Sequence, residues 1–176
     1  MAQLHTATTP QHRNPKRYLP GFTIVELLIV IVVIAILAAI SIVAYTGIQN
    51  RAHDASVQSD VRSSYNKMLE YQAVNGVFPS TEAQLSEASL VATRSSYPTA
   101  GNVYLLCISN DAAAVVGRSK SGSWFYNGTR GSGSFELSLT TPGNAQVCPR
   151  VDVPTSSPGY TYYWGYTNGA WATWMP

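Results

Sequence analysis

Charged side chains are scarce in this sequence: Asp, Glu, Lys and Arg together make up only 11% of its 176 residues. Three of the eleven basic residues, Arg13, Lys16 and Arg17, precede Gly21, so the remainder carries eight basic residues against nine acidic ones. The body of the chain is therefore close to neutral, and it has no basic field that would attract nucleic acid. We expect no specific nucleic-acid site.

Groups that carry enzymatic chemistry are also few. The three histidines are His5, His12 and His53. The sequence has no Ser-His-Asp arrangement, paired-carboxylate motif, glycine-rich phosphate loop or zinc-ligand spacing. We therefore expect no catalytic, cofactor-binding or metal site. Two alternatives stay open, a calcium site that includes Asp111 and Asp152 and a membrane-anchored exported enzyme.

Cysteine is limited to Cys107 and Cys148, both far beyond the hydrophobic part of the chain. A sole pair in an exported domain predicts one disulfide. The alternative is a pair of buried free thiols. A metal site fits the pair less well, because neither cysteine has a second Cys or His at ligand spacing.

One long hydrophobic run stands out: from Leu27 to Ala44, Ser41 is the only polar residue. A helix of this length extends about 27 Å, close to the thickness of a bilayer core. The run exceeds a usual signal-peptide core and no clean A-x-A site follows it, so we predict an uncleaved membrane span. A cleaved signal peptide or a buried core helix is the alternative. The basic residues before Gly21 predict a cytoplasmic N-terminus and an external C-terminal domain.

An amphipathic pattern continues this run. No proline occurs between Gly47 and Asn75, and apolar residues recur at spacings of three and four, which indicates a helix with one narrow apolar face. The positions at this spacing are Val57, Val61, Tyr65, Met68, Leu69 and the polar Gln72, and most of them would form that face. Asn75-Gly76 supplies a helix stop. We predict one helix from about Thr23 to Asn75, apolar on all sides in its first half.

The sequence after Gly76 predicts a small, strand-rich head. Thr81 and Gln84 form a capping-box pattern for a short helix over about 82–87. Asn168-Gly169 between aromatic segments predicts a hairpin. The predicted strands are Val103–Ser109, Ala112–Arg118, Ser123–Tyr126 and Phe135–Thr140, with 127–134 as a loop. The fold class is therefore α+β, a long N-terminal helix packed on a small antiparallel sheet.

Two features of the head admit a functional and a structural interpretation. Asn127-Gly128-Thr129 matches a glycosylation sequon, but the same residues in a turn are more typical of a hairpin. The aromatic tail at 160–174 can form an adhesive surface. Aromatic residues that alternate along strands are more often the core and rim of a sheet, and we favour that interpretation.

The segment G-F-T-I-V-E-L at 21–27 resembles the processing signature of the type IV pilin and pseudopilin family. Basic residues precede the glycine, the glutamate stands five residues after it, and an apolar helix-forming run follows. The resemblance covers residues 13–50 closely, and YQAVNGVFPS at 71–80 is similar to the end of the long helix and the following loop in many members. This chain has Val43 where many members have proline, and Ala35 where they often have glycine.

The resemblance implies a role for each residue of the signature. Residues 1–21 correspond to a leader that prepilin peptidase removes, with Gly21 as its last residue. Phe22 then becomes the N-methylated N-terminus, and Glu26 matches the glutamate that directs assembly. A carboxylate near the edge of a membrane span also needs a partner on physical grounds, because its desolvation costs free energy that a neighbouring subunit's amine can offset.

The resemblance also implies an organisation and a function. The domains are the leader at 1–21, a transmembrane and filament-core helix at 22–45, its amphipathic continuation at 46–75, and an extracellular β-rich head at 76–176. The function implied is structural: a homo-oligomeric helical filament for adhesion, motility or DNA uptake. The precursor is a single-pass protein of the cytoplasmic membrane that meets the inner-membrane assembly machinery, and the assembled subunit lies in a cell-surface filament. The alternative is a pseudopilin of a type II secretion or competence system.

Overall fold

The computed structural model describes residues 21–139, 141–167 and 169–175. All of the predicted leader except Gly21 therefore lies outside the described residues. The chain divides between Ile42 and Val43 into two compact units. The first contains the start of a long helix, and the second contains the rest of that helix and the head.

Residues Ile24–Asn75 form one α-helix, α1, of 52 residues. The helix continues through Ala35 and Val43, as predicted, because neither residue removes a backbone donor. It ends at Gly76, whose positive φ of 78° is typical of the glycine that follows a helix. The Gly76 N–H group donates to the Gln72 carbonyl over 2.7 Å, which satisfies one of the last carbonyls of α1.

The head is a six-stranded antiparallel sheet with the strand order β4-β3-β2-β1-β5-β6. The strands are β1 Tyr104–Ile108, β2 Ala113–Arg118, β3 Trp124–Gly128, β4 Gly131–Phe135, β5 Thr161–Thr167 and β6 Ala170–Trp171. All five residues of β1 are buried, because β1 is central in the sheet and both of its faces are covered. The sheet and α1 together confirm the predicted α+β class.

One face of the sheet packs on the second half of α1. The predicted apolar positions Val57, Val61, Tyr65 and Met68 are buried there. They join a core with Tyr104, Leu106 and Ile108, the alternate side chains that β1 directs to this face. Leu69, which the pattern also placed on the apolar face, is 39% exposed.

The other face of the sheet has a second core that the sequence patterns did not reveal. A short helix, α3 at Asn144–Val147, leads directly into a 3-10 turn at Cys148–Val151. Val147, Val151 and Val153 pack on Leu105 and on the β2 and β3 side chains of this face. The predicted disulfide between Cys107 and Cys148 is confirmed, and it links the turn that follows α3 covalently to the central strand β1.

The strand predicted at Phe135–Thr140 is wrong. The structure has β4 at Gly131–Phe135, within the stretch predicted to be a loop, and residues 136–139 form no strand. Thr140 lies outside the described residues. Gly and Ser have low intrinsic strand propensity, but the two-residue turn at Thr129-Arg130 aligns β4 with β3, and backbone pairing outweighs that propensity.

Other local predictions agree with the structure. Helix α2 spans Glu82–Ala88 and begins with the predicted capping box of Thr81 and Gln84. Strands β5 and β6 pair as an antiparallel hairpin, although Asn168 of its predicted turn lies outside the described residues. Tyr166 and Trp174 are buried in the α1-facing core, in agreement with a core role for much of the aromatic tail.

Candidate processing and assembly site

Two residues of the signature, Thr23 and Glu26, cap the N-terminal end of α1. The Thr23 N–H group and the Thr23 hydroxyl both donate to Glu26 Oε2, each over 2.8 Å. In return, the Glu26 N–H group donates to Thr23 Oγ1 over 3.2 Å. This reciprocal arrangement is a capping box, which satisfies backbone donors that the helix itself leaves free.

Sequence reasoning identified Glu26 but missed Thr23. The missed signal was present, because a threonine followed three residues later by glutamate at the start of an apolar run is typical of a capping box. All the hydrogen bonds from Thr23 to this carboxylate reach Oε2. No hydrogen bond among the described residues uses Oε1, so one carboxylate oxygen stays available to another group.

Gly21 and Phe22 lie immediately before this cap and are open to solvent. Phe22 is 87% exposed. A Cβ atom built on Gly21 would meet no other atom of the described chain within 4 Å. The packing of the described residues therefore does not require a glycine at this position, and both residues of the Gly21–Phe22 bond are exposed.

The helix that follows has an apolar surface without a partner in the first compact unit. The large apolar side chains from Ile24 to Ile42 are between 47% and 85% exposed. This segment is long and apolar enough to cross a membrane. Beyond Glu26, its one polar residue is Ser41, which is satisfied internally because its hydroxyl donates to the Leu37 carbonyl over 2.8 Å. Such a surface needs lipid or other apolar helices around it.

Among the described residues, the second compact unit contains one buried carboxylate, Asp60 of α1, which sequence reasoning did not single out. Its oxygens accept hydrogen bonds from the Thr93 N–H group over 2.6 Å, the Thr93 hydroxyl over 3.0 Å and the Tyr97 hydroxyl over 3.1 Å. Burial, with the nearby Tyr104 and Asp60, raises the pKa of Tyr97. The three donors fasten the segment after α2 to α1, so this cluster has a structural explanation.

The candidate calcium residues are not brought together as a site. Asp111 forms an ion pair with Arg130, with 3.2 Å between Oδ2 and Nη2. Asp152 is exposed and follows the Cys148–Val151 turn in a left-handed conformation. Among the residues that the structure describes, no group of three His, Cys, Asp or Glu side chains is placed to hold a metal ion.

Comparison with known proteins gives matches both to the start of α1 and to most of the chain. Residues 20–42 match the family described as "Prokaryotic N-terminal methylation motif". The type IV wide pilus major component PilA4 of Thermus thermophilus is 28% identical over 138 residues, which cover 78% of this chain and 99% of the relative. The fimbrial protein EcpC of Eikenella corrodens is 26% identical over 151 residues, which cover 81% of this chain and 99% of the relative.

The apolar helix, its capped glutamate and the methylation motif together make the N-terminal segment similar to that of a prepilin-type protein. The relatives extend this similarity beyond the N-terminal segment, because their matches also run through the head. Most of the chain is thus similar to a type IV pilus component and to a fimbrial protein, and its start carries the prokaryotic N-terminal methylation motif.

Proposed function

We propose that this chain is a structural subunit of a type IV pilus, cut between Gly21 and Phe22, methylated at Phe22 and polymerised through α1. The pilin relatives and the methylation motif support a pilus subunit, and they do not favour the pseudopilin alternative. The observation that carries the proposal is that Glu26 caps the start of an exposed apolar helix. An exposed glycine, Gly21, lies shortly before this helix.

The processing step follows from the exposure of the signature. Prepilin peptidase hydrolyses the Gly21–Phe22 bond, which releases the leader and leaves a new amine on Phe22. Methylation then adds one carbon to that amine. Because a Cβ atom on Gly21 would meet no atom of the described residues within 4 Å, a requirement for glycine here would come from the peptidase and not from folding.

The assembly step follows from the geometry of Glu26. In a filament the apolar helices pack side by side, and the charged amine and carboxylate at their ends leave water. Glu26 Oε2 stays with Thr23, and Oε1 accepts from the Phe22 amine of a neighbouring subunit. A charge left without its partner in this environment is strongly destabilising, so the pair fixes the axial position of one helix against the next.

The same surface explains two successive locations. Before assembly, the exposed apolar part of α1 lies in the cytoplasmic membrane with the basic leader inside. The inner-membrane pilus assembly machinery then transfers the helix from lipid to the filament core. The head, with its disulfide, lies outside the cell and forms the filament surface.

Mass spectrometry of filaments sheared from cells tests this proposal. The subunit should begin at Phe22 and carry one extra methyl group. Gly21→Val should leave a full-length precursor in the membrane, and its head should stay folded because a Cβ atom at position 21 would meet no atom of the described residues within 4 Å. An intact leader in assembled material, or surface filaments that persist without this gene, would overturn the proposal.

A further inference from the structure

Strand β4 leaves one side of the sheet open. It pairs with β3 on one side only, and within the described residues no other strand lies beyond it. Gly131 to Ser134 are exposed, and Phe135 is half-buried. Proteins usually protect such an edge with charges, proline or a bulge. The sequence of β4, Gly-Ser-Gly-Ser-Phe, has no charge or proline, and its register with β3 is regular.

The backbone groups that β4 presents outward can be identified from the hairpin. Gly128 pairs with Gly131 across a two-residue turn, so this closing pair is hydrogen-bonded. Hydrogen-bonded and non-hydrogen-bonded pairs alternate along an antiparallel ladder. The N–H and C=O groups of Ser132 and Ser134 therefore point away from β3, toward the open side.

We propose that the β4 edge binds the β4 edge of a second copy of this chain, antiparallel and centred on Gly133. In this register Ser132 lies opposite Ser134 of the second copy, and the reverse pair forms as well. Each pair joins outward-pointing backbone groups, as an antiparallel ladder requires. Main-chain pairing of this kind is a common way for proteins to associate.

Charge complementarity favours this register, and it favours a second copy of the chain as the partner. Arg130 and Glu136 lie one residue beyond the two ends of β4, and pairing centred on Gly133 brings Arg130 next to Glu136 of the second copy, and Glu136 next to its Arg130. Glu136 is exposed and makes no ion pair within the described part of the chain. A register centred on Ser132 would also align outward groups, but it would place Arg130 opposite Ser134 and Glu136 opposite Gly128.

The symmetry of the contact determines what it joins. Identical edges that face each other are related by a two-fold axis, whereas copies along one polar filament are related by a screw operation. The contact therefore connects heads of two different filaments. This part of the inference rests on the proposed function. A single Gly- and Ser-rich contact is weak, but many heads along a filament give it avidity.

Cysteine cross-linking tests the register. Ser132→Cys and Ser134→Cys are prepared as separate proteins, alone and mixed in equal amounts, both as filaments and as the full chain concentrated in detergent. Paired Cα atoms about 5.5 Å apart suit a disulfide. The mixture should form a covalent dimer after mild oxidation, and neither variant alone should do so. A dimer from Ser132→Cys alone, or no dimer in the mixture, would overturn the inference. The detergent sample gives this result even if no filament forms.

A charge exchange tests the contact between filaments. Arg130→Glu and Glu136→Arg should each reduce lateral bundling in electron micrographs, and the double variant should restore it at equal filament yield. Asp111→Asn is the matched control, because it removes the only ion-pair partner of Arg130 within the described chain and leaves the proposed contact intact. The inference would be overturned if bundling is unchanged in both single variants, or if it is not restored in the double variant.

Discussion

Gly117 of β2 lies directly against Val57 of α1: a Cβ atom on Gly117 would come within 2.9 Å of Val57 Cγ1. The same atom would lie 3.1 Å from Val61 Cγ1 and 3.2 Å from the Tyr97 ring. Val57 and Val61 are buried, and β-branched side chains have little freedom to move away. The absence of a side chain at Gly117 therefore sets how closely α1 packs on the sheet.

Gly117→Ala should destabilise the head by about 1–3 kcal/mol, the usual range for overpacking a core. Gly47→Ala is the matched control. A Cβ at that helical position would meet no atom of the described residues within 4 Å apart from the backbone of its own helix, so alanine there should not lower stability. Denaturant unfolding of the detergent-solubilised chain, followed by the near-ultraviolet signal of the head's aromatic residues, compares the two. Equal stability of both variants would show that Gly117 does not limit the packing of α1.

The disulfide should be a large part of the stability of the head. Cys107 and Cys148 are fully buried, and their Cα atoms are 5.6 Å apart in a bridge between residues that are 41 positions apart in the sequence. Removing a native disulfide from a small exported domain costs about 2–5 kcal/mol. The Cys107→Ala/Cys148→Ala double variant should lose unfolding free energy of this size. Without the disulfide, only packing holds α3 and the following turn against the sheet. Native protein should show no thiol that reacts with an alkylating reagent, and two reactive thiols would contradict this prediction.

Buried tyrosines should make the head unstable in alkali. Burial raises the pKa of Tyr104, and within the described residues its hydroxyl has no hydrogen-bond partner, because nearby Ser64 is bonded to the Val91 backbone. Burial also raises the pKa of Tyr97. The unfolded value is about 10, so the native state holds these protons more tightly and stability falls as the pH rises above about 10.

Tyr104→Phe isolates this effect. It removes a buried hydroxyl that makes no hydrogen bond in the described chain, so stability at neutral pH should change little. Above about pH 10 the variant should lose stability less steeply than the parent protein. Unfolding free energies measured at several pH values from 8 to about 11 give the two slopes. Parallel slopes would mean that other groups cause the alkaline loss.

Local patterns in the sequence predicted much of this structure. The extent of α1 follows from helical periodicity and the Gly76 stop, and the Thr81 and Gln84 cap depends on residues three apart. Such patterns do not reveal contacts between residues that lie far apart in the sequence. Asp60 meets Thr93 and Tyr97 only after the chain has folded back.

The failures have the same physical origin. Strand β4 consists mostly of Gly and Ser, and only its alignment with β3 makes it a strand. The second core depends on α3, which has four residues and is therefore too short to show a helical period in the sequence. At the candidate site, Glu26 stood out as a charge in an apolar run, whereas the neutral Thr23 did not.

The capping of α1 by Glu26 and its proposed pairing between subunits can be separated by one pair of variants. Glu26→Gln keeps a side-chain oxygen that accepts from Thr23, so the capping box is retained while the charge is lost. Thr23→Ala removes the capping hydroxyl, at a cost of about 1 kcal/mol in helix stability, but keeps the carboxylate. If Glu26 acts between subunits, Thr23→Ala should assemble and Glu26→Gln should not.

The measurement is the yield of sheared filaments relative to the membrane pool of the same variant, with cleavage at Gly21 checked by mass. Glu26→Gln should accumulate as a processed, oxidised subunit in the membrane. It should fail at assembly because the methylated Phe22 amine of the next subunit would be buried without a counter-charge. Glu26→Asp should be partly defective, since its shorter side chain must still reach between helices. Normal filament yield from Glu26→Gln, with poor yield from Thr23→Ala, would assign Glu26 to the capping of its own helix instead.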